Sequence, residues 1–396
     1  MARRLRCFRR VFETDHGKIA AGRETVSLAR HFRGNDEGHV IREQLRSRFF
    51  AFLRRVLATD DAREMLFALL QESNGGRPAV EMEKLDGGAL PYADLGPAEA
   101  APTMAPASGP VFITGRFRSG STLVWNLFRH VPGVTSYYEP FNERRWFDPV
   151  SRGGAVDRTH LGVEDYWAEY DGLTELGRYF DPQWKFRDLY MAPAVWNLPM
   201  QRYIETMIAR ARGRAVLQFN EMDFRLGWLR ARFPSVPILH VYRHPRDQWC
   251  STLLGAARSA AQCRLREFAP VDGFYLLAWA RDLRHTFPFL TLTEDAFAYE
   301  LYYQIWLLSY RLGRLHASAS LAMEDLIADP AAGIRRLLGA AGMPQVPIEP
   351  LVALVKPVPI GKWRECASAE WFQAIESRVH ADLTAYARGL RLAPEV

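Results

Sequence analysis

Gly115-Arg116-Phe117-Arg118-Ser119-Gly120-Ser121-Thr122 follows the apolar run Val111-Phe112-Ile113 and opens the helical pattern Leu123-Val124-Trp125-Asn126-Leu127-Phe128. An apolar strand, a glycine-bearing loop and a helix in that order make a phosphate-binding loop, where helix amides and the helix dipole hold an anion. The lysine that follows the second glycine in nucleoside triphosphatases is absent. Ser121 stands there, and a cation appears two residues before that glycine as Arg118. Without a lysine reaching the β- and γ-phosphates, ATP hydrolysis is not the expected chemistry. The loop suits a nucleotide whose 5′ end carries one phosphate joined to something other than a second phosphate. The bland reading is an ordinary strand–turn–helix connection, and a second motif decides between the two.

That motif is Val236-Pro237-Ile238-Leu239-His240-Val241-Tyr242-Arg243-His244-Pro245-Arg246-Asp247-Gln248-Trp249-Cys250-Ser251. Its first half is a short run of β-branched and apolar residues, the pattern of a buried parallel strand. Pro245 and Asp247 mark the turn and cap of a following helix. Arg243 falls at the carboxyl end of the strand, where open α/β sheets place their ligands. Ser251 is expected about one turn into the helix, so a guanidinium and a hydroxyl converge on one phosphate.

At these two motifs the chain resembles the P-loop sulfotransferases, which use 3′-phosphoadenosine 5′-phosphosulfate (PAPS) as donor. Arg118-Ser119-Gly120-Ser121-Thr122 is similar to that family's basic-Ser-Gly-Ser/Thr-Thr loop for the 5′-phosphosulfate, and Arg116, two residues ahead of it, is expected among the donor-binding residues with it. Arg243 and Ser251 have the eight-residue spacing of its 3′-phosphate pair. The resemblance continues through Ser320-Leu321-Ala322-Met323-Glu324-Asp325-Leu326, like the family's late strand and acidic turn. It reaches Gly361-Lys362-Trp363-Arg364-Glu365, like the basic loop that closes over the 3′-phosphate, with Lys362 and Arg364 as its contacts. The resemblance implies a PAPS-dependent enzyme that sulfates a hydroxyl of a carbohydrate, glycolipid or other small molecule, with no metal. The alternative is a P-loop kinase or a non-catalytic nucleotide-binding module, for which the Arg243/Ser251 pair has no evident use.

Composition is compatible with that reading. The chain has 396 residues, 48% of them hydrophobic, enough for a large packed core. A net charge of +6 suits an anionic donor. Arginine supplies the basic character, since Lys18, Lys84, Lys185, Lys356 and Lys362 are the only lysines. No nucleic-acid motif accompanies the charge. Cys7, Cys250, Cys263 and Cys366 lack metal-ligand or disulfide-framework spacing. With no signal-peptide-length or membrane-spanning apolar run, a cytoplasmic location is expected.

Residues 1–95 read as a helical extension on the strength of Ile41, Leu45, Phe49, Phe52, Leu53 and Val56, and 96–109 as a Pro/Ala-rich linker. The catalytic domain is expected over 110–396. Within it Ala215–Phe219 reads as a strand, Leu226, Leu229 and Phe233 as a short helix, and Tyr302–Leu315 as a core helix. Strands alternating with helices, with phosphate loops at strand ends, predict an α/β fold: a P-loop-type doubly wound parallel sheet flanked by helices.

Sulfuryl transfer needs orientation, charge stabilisation and removal of one proton. Arg118 is the electrostatic clamp, because a guanidinium holds its proton too tightly to act as an acid. Tyr137-Tyr138-Glu139-Pro140 resembles the Tyr-Glu-Pro segment of carbohydrate sulfotransferases, which implies Glu139 as the base. Aromatic neighbours would desolvate it and raise its pKa. His160, Glu221 and Asp223 are the alternatives. Tyr137, Tyr138, Trp146, Phe147 and Trp167 are expected to supply the acceptor pocket.

Overall fold

The computed structural model describes residues 109–388 apart from 158 and 254–260, together with residues 48, 51, 52, 90, 92, 94 and 95. The expected helical extension and the linker thus lie almost wholly outside the described residues. The chain divides into two units, Met1–Glu72 and Ser73–Val396, the second beginning ahead of the 95/96 boundary read from composition.

Five short strands form the sheet of the second unit: β1 (Val111–Thr114), β2 (Val134–Tyr138), β3 (Arg214–Phe219), β4 (Ile238–Tyr242) and β5 (Ala319–Ala322). Their order is β2-β3-β1-β4-β5 and every pairing is parallel. The doubly wound sheet expected from the alternation is therefore the one observed. Val111 pairs with Val216 of β3, and Phe112 with Ile238 of β4, so β1 is the centre of the sheet.

Period-two alternation sends neighbouring strand residues into two separate cores. Phe112, Leu217 and Ile238 pack on one face with Met200, Tyr203 and Trp228. Val111, Ile113, Val216 and Leu239 pack on the other with Ile334, Leu337 and Leu338. The covering helices are α1 (Ser121–Arg129), α2 (Leu198–Arg210), α3 (Leu226–Arg232), α4 (Pro245–Thr252), α5 (Ala298–His316), α6 (Met323–Ala328), α7 (Pro330–Ala340) and α8 (Ala369–Ala387). α5 is buried along almost its whole length, as its apolar-aromatic run predicts. Strand β2 and helix α2 were not evident in the sequence, and β2 matters because Glu139 follows it directly. No described helix is long and apolar enough to cross a membrane.

Candidate active site

Four strands deliver the candidate residues to the carboxyl end of the sheet: β1 leads into Gly115–Gly120, β2 into Glu139, β3 into Asn220 and Glu221, and β4 into Arg243. Gly120 caps α1 with φ +92°, and a Cβ there would collide with the Met323 side chain, so this position demands glycine. A Cβ on Gly115 would lie 2.7 Å from the Val241 carbonyl oxygen, and the close approach of β1 and β4 needs that space. Arg118 adopts φ +66°, a conformation that is uncommon for a residue with a Cβ and clusters at functional sites. No side chain caps α1, which leaves its first amides open to an anion.

The loop side chains divide into two groups. Arg118 Nε donates to Ser251 Oγ at 3.0 Å, and its Nη1 lies 3.7 Å from Asp157 and 3.4 Å from Thr159 Oγ1. Ser121 Oγ donates to Asn220 Oδ1 at 3.0 Å, and Thr122 Oγ1 lies 3.2 Å from the Tyr138 hydroxyl. Ser119 Oγ is buried without a hydrogen-bond partner among the described residues. Arg116 turns to the interior, over the Trp279 ring at 5.0 Å and 3.9 Å from Asp223. Burial lowers its pKa, and the Asp223 charge opposes that shift. Asp223 also accepts from Thr114 and Ser309, at 3.0 and 2.7 Å. It ties β1 to α5, which leaves it an internal strut.

Arg243 is half-buried at the carboxyl end of β4, and among the described residues its guanidinium has no hydrogen bond or ion pair. Ser251 is the seventh residue of α4, nearly two turns in rather than one. The helix starts earlier than expected because His244, not Asp247, is its cap and Pro245 its first residue. Asp247 does something the sequence did not reveal. Its carboxylate accepts from Gly361 N at 2.6 Å and Trp363 N at 3.1 Å, so it anchors the turn Lys362–Glu365 against α4. Lys362 and Arg364 are exposed, with Arg364 over the Trp363 ring at 4.6 Å. His244 stacks on Trp363 and bonds Asp94 through Nε2 at 3.0 Å.

Glu139 lies immediately after β2, buried, with φ +40°. Asn220 Nδ2 donates to one carboxylate oxygen and Asn142 Nδ2 donates to the other at 2.6 Å. Burial pushes its pKa above the ordinary carboxylate value, while the Asn142 donor and the Lys185 charge pull it back. Asn220 links the two halves of the site, since the Ser121 hydroxyl and the Glu139 carboxylate meet on its one side-chain amide.

Glu221 is more deeply buried, and neither of its oxygens has a hydrogen-bond partner among the described residues. Desolvation pushes its pKa up to about 8 against the pull of Lys185. Lys185 is buried and bonded to Glu143, which also accepts from the Tyr275 hydroxyl at 2.9 Å. His160 is further off in role: its Nδ1 meets the Tyr166 hydroxyl at 2.6 Å, and burial lowers its pKa. Tyr137, Tyr138, Trp146 and Phe147 are buried in one core cluster with Trp167 packed on it, so these aromatics form the support of the site rather than an open pocket.

Asn220, Asn142, Lys185 and Asp247 were missed from sequence. Scarcity of lysine was the one available signal for Lys185. Asn220 stood beside a carboxylate already singled out.

The family model described as "Sulfotransferase family" matches residues 110–347 of this chain. Three solved structures resemble it at low identity. The sulfotransferase STF9 from Mycobacterium avium is 14% identical, covers 69% of this chain and 76% of its own, and has a TM-score of 0.37. A sulfotransferase from Alicyclobacillus acidocaldarius is 16% identical over 71% of this chain and 99% of its own, TM-score 0.34. The sulfotransferase domain of the Synechococcus PCC 7002 olefin synthase is 14% identical over 75% and 100%, TM-score 0.29. No curated protein sequence matches the chain.

Proposed function

This chain belongs to the sulfotransferase family, and on that basis we propose that it moves a sulfuryl group from PAPS to a hydroxyl of a carbohydrate, glycolipid or other small molecule. The observation that carries the donor assignment is the meeting of Arg118 with Ser251 at 3.0 Å, on the helix that follows an Arg243 guanidinium with no hydrogen bond or ion pair among the described residues. A 5′-phosphosulfate would sit on the open amides of α1, with Arg118, Ser119, Gly120, Ser121 and Thr122 around it. A 3′-phosphate would sit between Arg243 and Ser251, with Lys362 and Arg364 closing from the turn that Asp247 holds. The half-buried unpaired guanidinium and the uncapped helix fit a ligand with two anionic ends. Arg116 stands behind the loop and supports it through Asp223.

In the transfer the acceptor oxygen attacks sulfur in line, the bond from sulfur to the 5′-phosphate oxygen breaks, and the hydroxyl proton passes to Glu139. Asn142 and Asn220 orient that carboxylate, and Arg118 stabilises charge on the sulfuryl and leaving oxygens. Because Asn220 also holds Ser121, the base keeps its position relative to the donor loop.

The test is thermal stabilisation of the full chain by adenosine 3′,5′-bisphosphate against ATP, followed by transfer of label from ³⁵S-PAPS to a panel of hydroxyl acceptors. Stabilisation by the bisphosphate and not by ATP is expected. Preference for ATP would favour the kinase or nucleotide-binding alternative.

A further inference from the structure

Next to Glu139 lies a group of charges that the donor does not use. Glu221 is 1% exposed and both its oxygens lack a hydrogen bond among the described residues. The charges it feels are those of Lys185, Glu139, Glu143 and Arg225. Arg225 is committed elsewhere, donating to the backbone carbonyls of Trp184, Arg187, Asp188 and Glu221. It thereby fixes the segment that carries Lys185 against the loop after β3.

Lys185 stands 4.3 Å from the Tyr275 ring and 5.9 Å from the ring of Phe117, a residue of the phosphate loop. The cluster therefore adjoins the donor loop on one side and Glu139 on the other. Its solvent side is Glu143, whose side chain is 45% exposed. Three carboxylates, Glu139, Glu143 and Glu221, thus surround one available cation, Lys185, which Glu143 already engages. A buried carboxylate with every lone pair unused is unfavourable until a donor reaches it. In an environment with more carboxylates than cations, the best donor is itself a cation.

Resting on the transfer reading above, we propose that this corner is the acceptor subsite and that the acceptor is a hydroxyl compound bearing a protonated amine, of the amino-sugar or amino-alcohol class. Its ammonium enters past Glu143 and donates to Glu221, while the hydroxyl to be sulfated meets Glu139. A carboxylated or already sulfated acceptor would add an anion beside the Glu139 and Glu143 carboxylates, and is rejected. Free Glu221 retains its proton near neutral pH, because burial raises its pKa to about 8. Pairing with an ammonium releases that proton.

The experiment uses the full chain with ³⁵S-PAPS and three matched acceptors: glucosamine, glucose and glucuronic acid. The expected order of kcat/KM is glucosamine first, by about tenfold over glucose, the ratio that a modest charge interaction supplies, with glucuronic acid last. Glu221→Gln is expected to bring the glucosamine-to-glucose ratio toward one, and Glu221→Asp to keep part of it. Should both variants fail to fold, calorimetry of glucosamine binding to the native chain in two buffers of different ionisation enthalpy reads the released proton directly. Glucuronic acid used as well as glucosamine, an unchanged ratio in Glu221→Gln, or no proton release overturns the proposal. Release of adenosine 3′,5′-bisphosphate, followed in the same wells, separates the two readings. If none forms with any acceptor, the transfer reading fails and this inference with it. If it forms with the wrong preference, this inference alone fails.

Discussion

Arg118 Nε and Ser251 Oγ lie 3.0 Å apart although 133 positions separate them in the chain. They meet because β1 and β4 are adjacent parallel strands whose carboxyl ends release the phosphate loop and α4 side by side. One hydrogen bond therefore couples the candidate 5′ and 3′ subsites of the donor.

Arg118→Ala is expected to lower kcat more than it weakens binding of adenosine 3′,5′-bisphosphate, because the sulfuryl charge is greatest during transfer. The contact with Ser251 adds a second expectation. Groups in direct contact are not additive, so a double-mutant cycle with Ser251→Ala should show a coupling of about 0.5–3 kcal/mol in nucleotide affinity. Equal losses in turnover and binding would make Arg118 a ground-state ligand only, and a coupling near zero would mean that the bond has no energetic role.

Arg243→Ala should weaken binding of adenosine 3′,5′-bisphosphate by about 1.5–3 kcal/mol, the range for a hydrogen bond to a charged group. Adenosine 5′-phosphate lacks the second anion and its affinity should change little. Titration calorimetry of both ligands decides the matter, and an equal loss for the two would remove Arg243 from the 3′ subsite.

The Asp247 carboxylate accepts both amides that fix the Lys362–Glu365 turn. Asp247→Ala should therefore reduce bisphosphate affinity by releasing Lys362 and Arg364 from α4. The Lys362→Ala/Arg364→Ala variant should show a similar loss, and adding Asp247→Ala to it should cost little more. Additive losses in the triple variant would show that Asp247 acts by another route.

The fold was readable where hydrophobic pattern and local chemistry agree. Val111–Thr114 and Ile238–Tyr242 are short apolar runs ending in glycine or proline loops, and both became central parallel strands. Strand β2 was not readable, because Val134-Thr135-Ser136-Tyr137-Tyr138 carries polar residues that a buried strand satisfies only through its partners. One of them, Ser136, pairs with Trp125 of α1. The same reason hid much of the site. Glu139 is implied by the resemblance of Tyr138-Glu139-Pro140 to the Tyr-Glu-Pro segment of carbohydrate sulfotransferases, but its holder Asn220 is 81 positions away. Lys185 meets Glu143 across 42 positions, from a segment of short turns with no helical or strand period. Local sequence reports strands and caps, whereas contacts made by tertiary closure leave no period to read.

Glu221 also makes stability depend on pH. Its native pKa is raised to about 8, whereas an unfolded glutamate titrates at about 4.3. Between those values the native state binds more protons than the unfolded state, so this group's contribution to stability falls as pH rises through the window. In Glu221→Gln that slope is removed. Denaturant midpoints of the two proteins should therefore differ in favour of the variant more at the alkaline end than at the acidic end. Parallel curves would place Glu221 in a solvated, ordinary environment.

Glu139 is the residue on which the chemistry of the acceptor turns. As a base it has to be ionised, and its pKa is raised by burial, so the acidic limb of the pH–rate profile should lie above the ordinary carboxylate range. Glu139→Gln keeps the shape and one acceptor oxygen but cannot take a proton, so turnover should fall by about 10²-fold or more with nucleotide affinity nearly unchanged. The acidic limb should vanish in the same variant. Asn220→Ala provides the control for positioning, because it removes the link between Ser121 and the carboxylate while leaving the base present. Turnover should then fall by less than in Glu139→Gln, and the acidic limb should shift rather than disappear. Near-normal turnover in Glu139→Gln would pass the role of base to His160 or Glu221. Of the two, Glu221 is the one that shares the buried cluster with Lys185 beside the phosphate loop.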